Sequence, residues 1–345
     1  MIEPIINLDI NDFTKRNSHL GGVEQSITNA FYGLDAEISG MALPTDGVFN
    51  KFVFFTRPQL NLTLENSVLS KELIKTLTEE KNSIHNYTRT QLDPRLFYSK
   101  ANIKSDLTDP YNPFIPILSN TLLKMSGWPD PVLATRESTE GRVKQRTAMV
   151  DGTNDIFSTF DIDCSFMNVV GVPVTNLMAI WLDYMDKVHK GHIQPYLDMI
   201  LRREIDYMTR IYVIVTNSFG TIKMFANTGA SFPYVNNLGS FFDFDRFSST
   251  DATEVNIRFK CIGAEYNNYN SLKDFNMLMG AFNPMIRKLQ NGEESGLLEV
   301  PESLYSTFKN RMYPYIDIPN GKLIWYIPED QIEIKKKTNG AEQWE

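Results

Sequence analysis

Cysteine and histidine are scarce: two cysteines and four histidines are spread over 345 residues. Cys164 and Cys261 each sit in an apolar, strand-like run, which reads as two buried thiols in a reducing compartment and not as a disulfide framework. His189 and His192 form HKGH, without the i, i+4 spacing or the third ligand of a metal site. Gly191 between them ends a helix, and cations near a helix C-terminus are favoured by the macrodipole, so no zinc site is expected. Long apolar runs are also missing. FVFF (Phe52 to Phe55) and IYVIV (Ile211 to Val215) are far shorter than the roughly 20 residues that span a bilayer. The N-terminus MIEPIINLDIND has no basic region followed by an apolar block, so synthesis without a secretory signal is expected, in a cytoplasm. The sequons at Asn61 and Asn86 then read as unmodified. No Gly-x-Ser-x-Gly, GxxxxGK[ST] or GxGxxG occurs, so serine-nucleophile and phosphate-loop chemistry lack a starting residue. Net positive charge is absent as well: the formal charge of -8 argues against generic nucleic-acid binding, which rests on Lys and Arg neutralising phosphates.

What is present is an ordinary folded composition, 42% hydrophobic and 22% charged, with length for two to three domains or one core with long insertions. Residues 1–45 read as an irregular arm, 46–290 as a β core with a helical insertion at 66–125, and 291–345 as a C-terminal extension. In the core, Val48 to Leu64 predicts a strand interrupted at Pro58, with Leu60, Leu62 and Leu64 alternating as a half-buried edge. SVLSKELIKTLTEEKN predicts a helix from Leu69, Leu73, Ile74 and Leu77. Pro94, Pro110, Pro113, Pro116, Pro129 and Pro131 mark a connector without regular structure. Asp151-Gly152 predicts the turn of a hairpin over 142–166, and Asn217 to Gly220 the loop of a second, pairing Tyr212–Val215 with Ile222–Phe225. Helices are predicted from Val174 to Gly191, over 195–207 and over 271–289, with strands over 252–266 and 322–327. Interleaved helices and hairpins without a βαβ run give an α+β class.

Few residues offer chemistry. Arg142, Lys144 and Arg146 at two-residue spacing would share one strand face, as a nucleic-acid path, an answer to an acidic partner, or a solvated face, the commonest outcome for alternating charges. Arg57, between Thr56 and Pro58, reads as an ordinary edge residue or part of an interface. Asp161 and Asp163, and separately Asp243 and Asp245, have the D-x-D spacing that could hold Mg²⁺ or pair an acid with a base. Exposed strand alternation produces the same spacing and is preferred. Phe241, Phe242, Phe244 and Phe247, with Tyr313 and Tyr315, put aromatics in loop-like settings, where core lids and contact anchors are equally open readings. No cofactor is indicated.

Five stretches carry a family likeness: VFFTRPQLNLTL (Val53 to Leu64), GVPVTNLMAIWLDYMDKV (Gly171 to Val188), EIDYMTRIYVIVTNSFGTI (Glu204 to Ile222), NTGASFP (Asn227 to Pro233) and LKDFN (Leu272 to Asn276). They resemble virion structural proteins of large contractile-tailed bacteriophages, specifically those of the tail tube or of the baseplate and tail-end rings that continue it. The resemblance covers roughly 48–64 and 128–276. It implies an antiparallel β-sandwich or barrel of the tail-tube type with flanking helices, assembling by strand edges and hairpins into rings, six-fold by expectation. The ring would adjoin neighbouring tail or baseplate proteins in the virion, give genomic DNA transient passage and touch no membrane. Arg142, Lys144, Arg146, Asp161, Asp163, Phe241, Phe242 and Phe244 become candidate assembly or lumen-facing residues. The chain exceeds a minimal tube subunit in its arm, its helical segment and its Pro-rich connector. A tail-tip host-binding module and, more remotely, an envelope-degrading D-x-D enzyme stand as alternatives.

Overall fold

The computed structural model describes residues 49–78, 80–99, 102–152, 158–217, 220–239, 242, 254–301, 304–305 and 312–330. The chain divides into two units, Met1–Phe49 and Asn50–Glu345, and the described helices and strands all lie in the second. The centre of that unit is a six-stranded antiparallel sheet in the order β1 (Asn50–Phe55), β6 (Ile211–Thr216), β7 (Ile222–Asn236), β8 (Glu254–Tyr266), β5 (Thr159–Met167) and β2 (Leu122–Ser126). A second sheet holds β10 (Tyr313–Asp317), β11 (Lys322–Pro328) and β9 (Leu297–Glu299), and β3 (Thr135–Glu137) pairs with β4 (Ala148–Val150) alone. Short helices α1 (Leu64–Ser67) and α2 (Ile84–Leu92) precede the Pro-rich connector; α3 (Arg95–Tyr98), α4 (Pro116–Thr121) and β2 lie within it, so that stretch, expected to be without regular structure, is not. The longest helix, α5 (Pro173–His189), precedes α6 (Leu197–Arg202), and α7 (Tyr269–Phe282) and α8 (Pro284–Gln290) follow β8. Among the described residues no helix is long and apolar enough to cross a membrane.

Alternation along the strands explains the layers. Val53 and Phe55 of β1 face one apolar cluster, which takes Ile162, Cys164 and Phe166 from β5, Val255 to Cys261 from β8, and Leu177, Met178 and Trp181 from α5. Phe52 and Phe54 point the other way, against Tyr212 and Ile214 of β6, Phe275 and Met279 of α7, and Tyr313, Ile316 and Leu323 of the small sheet. The sheet therefore has helices or a second sheet on both faces at the β1–β6 side. On the β8–β5–β2 side the face away from α5 is polar and accessible.

The sheet curls into a half-barrel, and two glycines mark the bend. In β8 the buried set Val255, Ile257, Phe259, Cys261 skips to Ala264 across Gly263, whose φ is +66°. Opposite it, a Cβ at Gly229 would lie 2.9 Å from the Ile262 carbonyl oxygen, closer than any side chain tolerates. One short piece of chain then links the two sheet edges. Phe114 bridges to Thr56 and the Ile115 N–H donates to the Phe55 carbonyl at 2.8 Å, continuing the β1 edge. α4 follows directly, and β2 pairs with β5 on the far edge. At 1.5 Å per residue the helical part of that link is about 9 Å long, so α4 sits in the gap that an open barrel leaves.

Several expectations are corrected. The 142–166 hairpin does not form: β5 pairs with β8 and β2, while 148–150 pairs with 135–137, so the loop is 138–147 and not Asp151-Gly152. Longer pairing with β8 outcompetes the local turn. The stretch after Pro58 is not an edge strand; the Leu60 N–H donates to the Leu92 carbonyl of α2 at 3.0 Å, burying Leu60 and Leu62 while Leu64 is exposed. The helix expected over 67–82 reduces to α1 and a 3-10 turn, Leu73–Thr76; only Leu73 is buried, with Leu69 and Ile74 exposed. The 195–207 helix shrinks to α6, ended by Arg203 in the left-handed region. The helix over 271–289 is two, because Asn283 closes α7 and its Oδ1 accepts from the Met285 N–H at 2.9 Å to cap α8. The second hairpin is present with a shifted register, Ile214 opposite Phe225 and Thr216 opposite Ile222. Tyr313 lies in a strand and is buried, not in a loop.

Candidate assembly surface

The accessible face of β2, β5 and β8 carries charges in register. Asp161 stands opposite Lys260 and Asp163 opposite Arg258. Lys260 Nζ lies 3.0 Å from Asp161 Oδ1, and Arg258 Nε donates to Asp163 Oδ1. Next in the row, Ser165 donates to Glu254 Oε2 at 2.7 Å, and Lys124 of β2 is directly beside Ser165. The hydrogen bond from Lys260 holds the Asp161 carboxyl below its usual range, and the bond to Asp163 raises the Arg258 guanidinium. These are exposed cross-strand pairs, which water and salt screen strongly. Among the described residues no group of three side chains is placed to hold a metal ion. Asp161 and Asp163 are thus brought together with cations.

Arg142, Lys144 and Arg146 do not share a strand face. They lie on the loop between β3 and β4, with Lys144 at φ +57° and Arg146 3.9 Å from Glu137 and 4.0 Å from Glu140. The hairpin exposes Val143, Met149 and Val150, with Val132 and Leu133 just before it. Phe242 is exposed; Phe241, Phe244, Phe247, Asp243 and Asp245 fall outside the described residues. The edge strand β2 pairs with β5 on one side and with no strand on the other among the described residues, and its Leu123, at a bulge, is exposed. His189 and His192 bracket the end of α5, where the His192 and Gly191 N–H groups donate to the Lys187 and Val188 carbonyls, the Schellman pattern that glycine permits.

What positions these surfaces is a buried polar network in the connector. The Arg57 guanidinium donates to the carbonyls of Gln91 at 3.1 Å, Asn112 at 3.1 Å and Thr90, tying β1 to α2 and to the segment that leads into α4. Burial lowers its pKa to about 10, so it stays charged at neutral pH. Asp93 accepts from the Leu62 N–H at 2.9 Å, the Arg95 N–H at 3.2 Å and the Tyr196 hydroxyl at 2.7 Å, and burial pushes it up to about 6. Tyr184 of α5 donates to Asp206 and its oxygen accepts from the Asn61 N–H at 3.1 Å. Of this network only Arg57 stands out along the chain, as an edge or interface residue, and it is buried instead. Asp93 and Tyr184 carry no local signal of their role, and neither does Lys124. For Arg258 and Lys260 a signal exists: Glu254, Asn256, Arg258 and Lys260 alternate with the apolar residues of the same strand.

An open edge, an exposed apolar hairpin and a charge-paired sheet face thus lie on an α+β scaffold with a curled antiparallel sheet. The family described as "Putative phage tail tube protein" matches residues 9–340, and the chain belongs to that family, a structural component of phage tails. No curated protein matches the chain. Among solved structures it is similar to a chain of the anti-feeding prophage tube-terminating cap, at 19% identity over 45% of this chain and 83% of that one, TM-score 0.27. It is also similar to a chain of the PVC sheath-tube complex in the extended state, at 18% identity over 49% and 97%, TM-score 0.26. A chain of the anti-feeding prophage baseplate matches at 12% identity over 42% and 78%, TM-score 0.25.

Proposed function

We propose that this chain is a ring-forming subunit of a phage tail, in the tube itself or in a baseplate or tail-end ring that continues it. Copies join where the open β2 edge takes a strand from the neighbour, since a row of unpaired backbone groups is a ready template for strand addition. That open edge, on a chain of the tail tube family, is the observation that carries the reading. The contact is heterologous and closes by rotation into a ring, with six copies as the expected number. The β3–β4 hairpin, with Met149 and Val150 exposed and Arg142, Lys144 and Arg146 at its tip, is suited to contact with the next ring. The polar face of β5 and β8 is suited to the lumen wall: Arg258 and Lys260 are neutralised by Asp163 and Asp161, leaving little free cation to hold passing DNA. The protein is made in the host cytoplasm and resides in the virion, beside other tail or baseplate proteins.

Negative-stain microscopy with mass determination on the purified protein tests this. Rings or tubes of uniform diameter are the expected result; virions in which the chain occurs as isolated copies would contradict it. Val150→Asp is expected to leave single rings intact and to shorten or abolish stacks, because a charge is placed on the exposed apolar hairpin. Stacks of normal length from that variant would remove the hairpin from the inter-ring contact.

A further inference from the structure

β10 is an edge strand of the small sheet and, at five residues, is as long as β2. On a chain whose copies join by strand addition, an edge of that length is a second acceptor. A heterologous contact made there as well as at β2 would branch, or run on without closing. The outer side of β10 nevertheless offers a neighbouring strand no free N–H. The Ile316 N–H donates to Asn276 Oδ1 at 3.0 Å, and Asn276 Nδ2 donates to the Ile316 carbonyl at 2.7 Å. One side-chain amide of α7 thus takes both backbone groups, as the peptide of an opposing strand would. Backbone groups two residues apart in a strand point to the same side, which puts Pro314 on the outer side too, and proline has no N–H to give.

Asn276 and Ile316 are both buried. Gln290 of α8 steadies that turn of α7, its Nε2 donating to the Asn276 carbonyl at 2.6 Å. Asparagine is one of the weaker helix formers, so a mid-helix position gives up propensity for this carboxamide. Two further sheet edges are closed by other means. α4 packs beside β1, and the Ile115 N–H takes the Phe55 carbonyl. β9 has only three residues, and the Val300 N–H, which donates to the Trp325 carbonyl at 2.9 Å, turns Pro301 to its outer side. β2 contains no proline.

We infer that Asn276 is a specificity-determining residue for assembly: its carboxamide takes the place of a strand on β10 and keeps further copies of this chain off that edge, so that strand addition goes to β2. The LKDFN stretch, which ends at Asn276, gains its role in this way. The inference rests on the reading that copies join by strand addition, and goes beyond it in naming what confines the joining to one edge.

Two measurements on the full-length protein test this. In the dissociated wild-type chain, hydrogen–deuterium exchange is expected to find the outward Ile316 amide protected to within about tenfold of the Tyr315 and Asp317 amides, which face β11; exchange at the rate of an unpaired edge amide would overturn the proposal. Light scattering of purified Asn276→Ala is expected to show open-ended oligomers of scattered mass where wild type gives a single mass. Adding Ile316→Pro, which takes the freed N–H away, should lower the oligomer fraction at least about tenfold and restore the wild-type mass. Ile316→Pro also removes a buried side chain, so association caused by a weakened fold would grow in the double variant. An oligomer fraction that does not fall, or an Asn276→Ala mass equal to that of wild type, would overturn the proposal. The two readings fail separately: a wild-type chain that never forms rings contradicts the ring, whereas rings with an indifferent Asn276→Ala contradict the closed edge alone.

Discussion

Arg57 holds a guanidinium where water does not reach, and its N–H donors meet carbonyls on segments far apart in sequence. Arg57→Met keeps the bulk and removes the donors, leaving the Gln91, Thr90 and Asn112 carbonyls unpaired; the expected loss is about 3 kcal/mol in chemical denaturation. Arg57→Lys should recover only part, since one ammonium cannot span that fork. An unchanged midpoint for Arg57→Met would mean the network is dispensable. Asp93 gives a pH signature. Its folded pKa of about 6 lies above the ordinary 3.8, so the folded chain binds the proton more tightly than the unfolded one. Its stabilising contribution is therefore complete below 3.8 and is lost as pH rises through about 6. Burial outweighs the hydrogen bonds from the Tyr196 hydroxyl and the Leu62 and Arg95 N–H groups and the Arg89 charge, all of which lower it. Asp93→Asn cannot titrate, so the stability of wild type relative to the variant should fall by roughly 2–3 kcal/mol between about pH 4 and pH 7. A difference that stays flat across that range would show that the carboxyl is better solvated than its surroundings indicate.

At the scale of elements, the curl of the sheet depends on two glycines for different reasons. Gly263 has a left-handed φ and open space around its Cβ position, so Gly263→Val should cost about 1–2 kcal/mol through backbone strain alone and Gly263→Asn less. Gly229 has a backbone oxygen in the way, so Asn there should be no better than Ala. Denaturation midpoints of the four variants distinguish strain from collision; equal losses for Gly263→Val and Gly263→Asn would put the strain explanation aside. The same distinction bears on what is legible along the chain. β8, α5 and the β6–β7 hairpin are readable because alternation, a 3.6 period and a turn are local signals. The partner of β5 is not, because Asp151-Gly152 is a strong local turn signal and the competing nine-residue pairing with β8 is invisible along the chain. Leu60 and Leu62 alternate like an edge strand, yet their hydrogen bonds go to α2 and Asp93, a long-range outcome. Of the candidate surface, Asp161 and Asp163 are readable as a spacing. Their cations are not, since pairing them needs the register of β8.

For the whole molecule, the family places it in the phage tail. A six-stranded sheet whose gap is spanned by α4 still leaves β2 without a second strand partner among the described residues, and an unpaired edge on a particle subunit is where a neighbour belongs. Ring formation through that edge, as proposed, would convert free backbone groups into ladder hydrogen bonds without altering the core. Hydrogen–deuterium exchange of Leu122 to Ser126, compared between the assembled and the dissociated full-length protein, measures this directly. The outward amides of β2 are expected to slow at least about tenfold on assembly, the mark of opening made costlier by more than roughly 1.4 kcal/mol. Equal exchange in rings and free chains would contradict joining by the β2 edge.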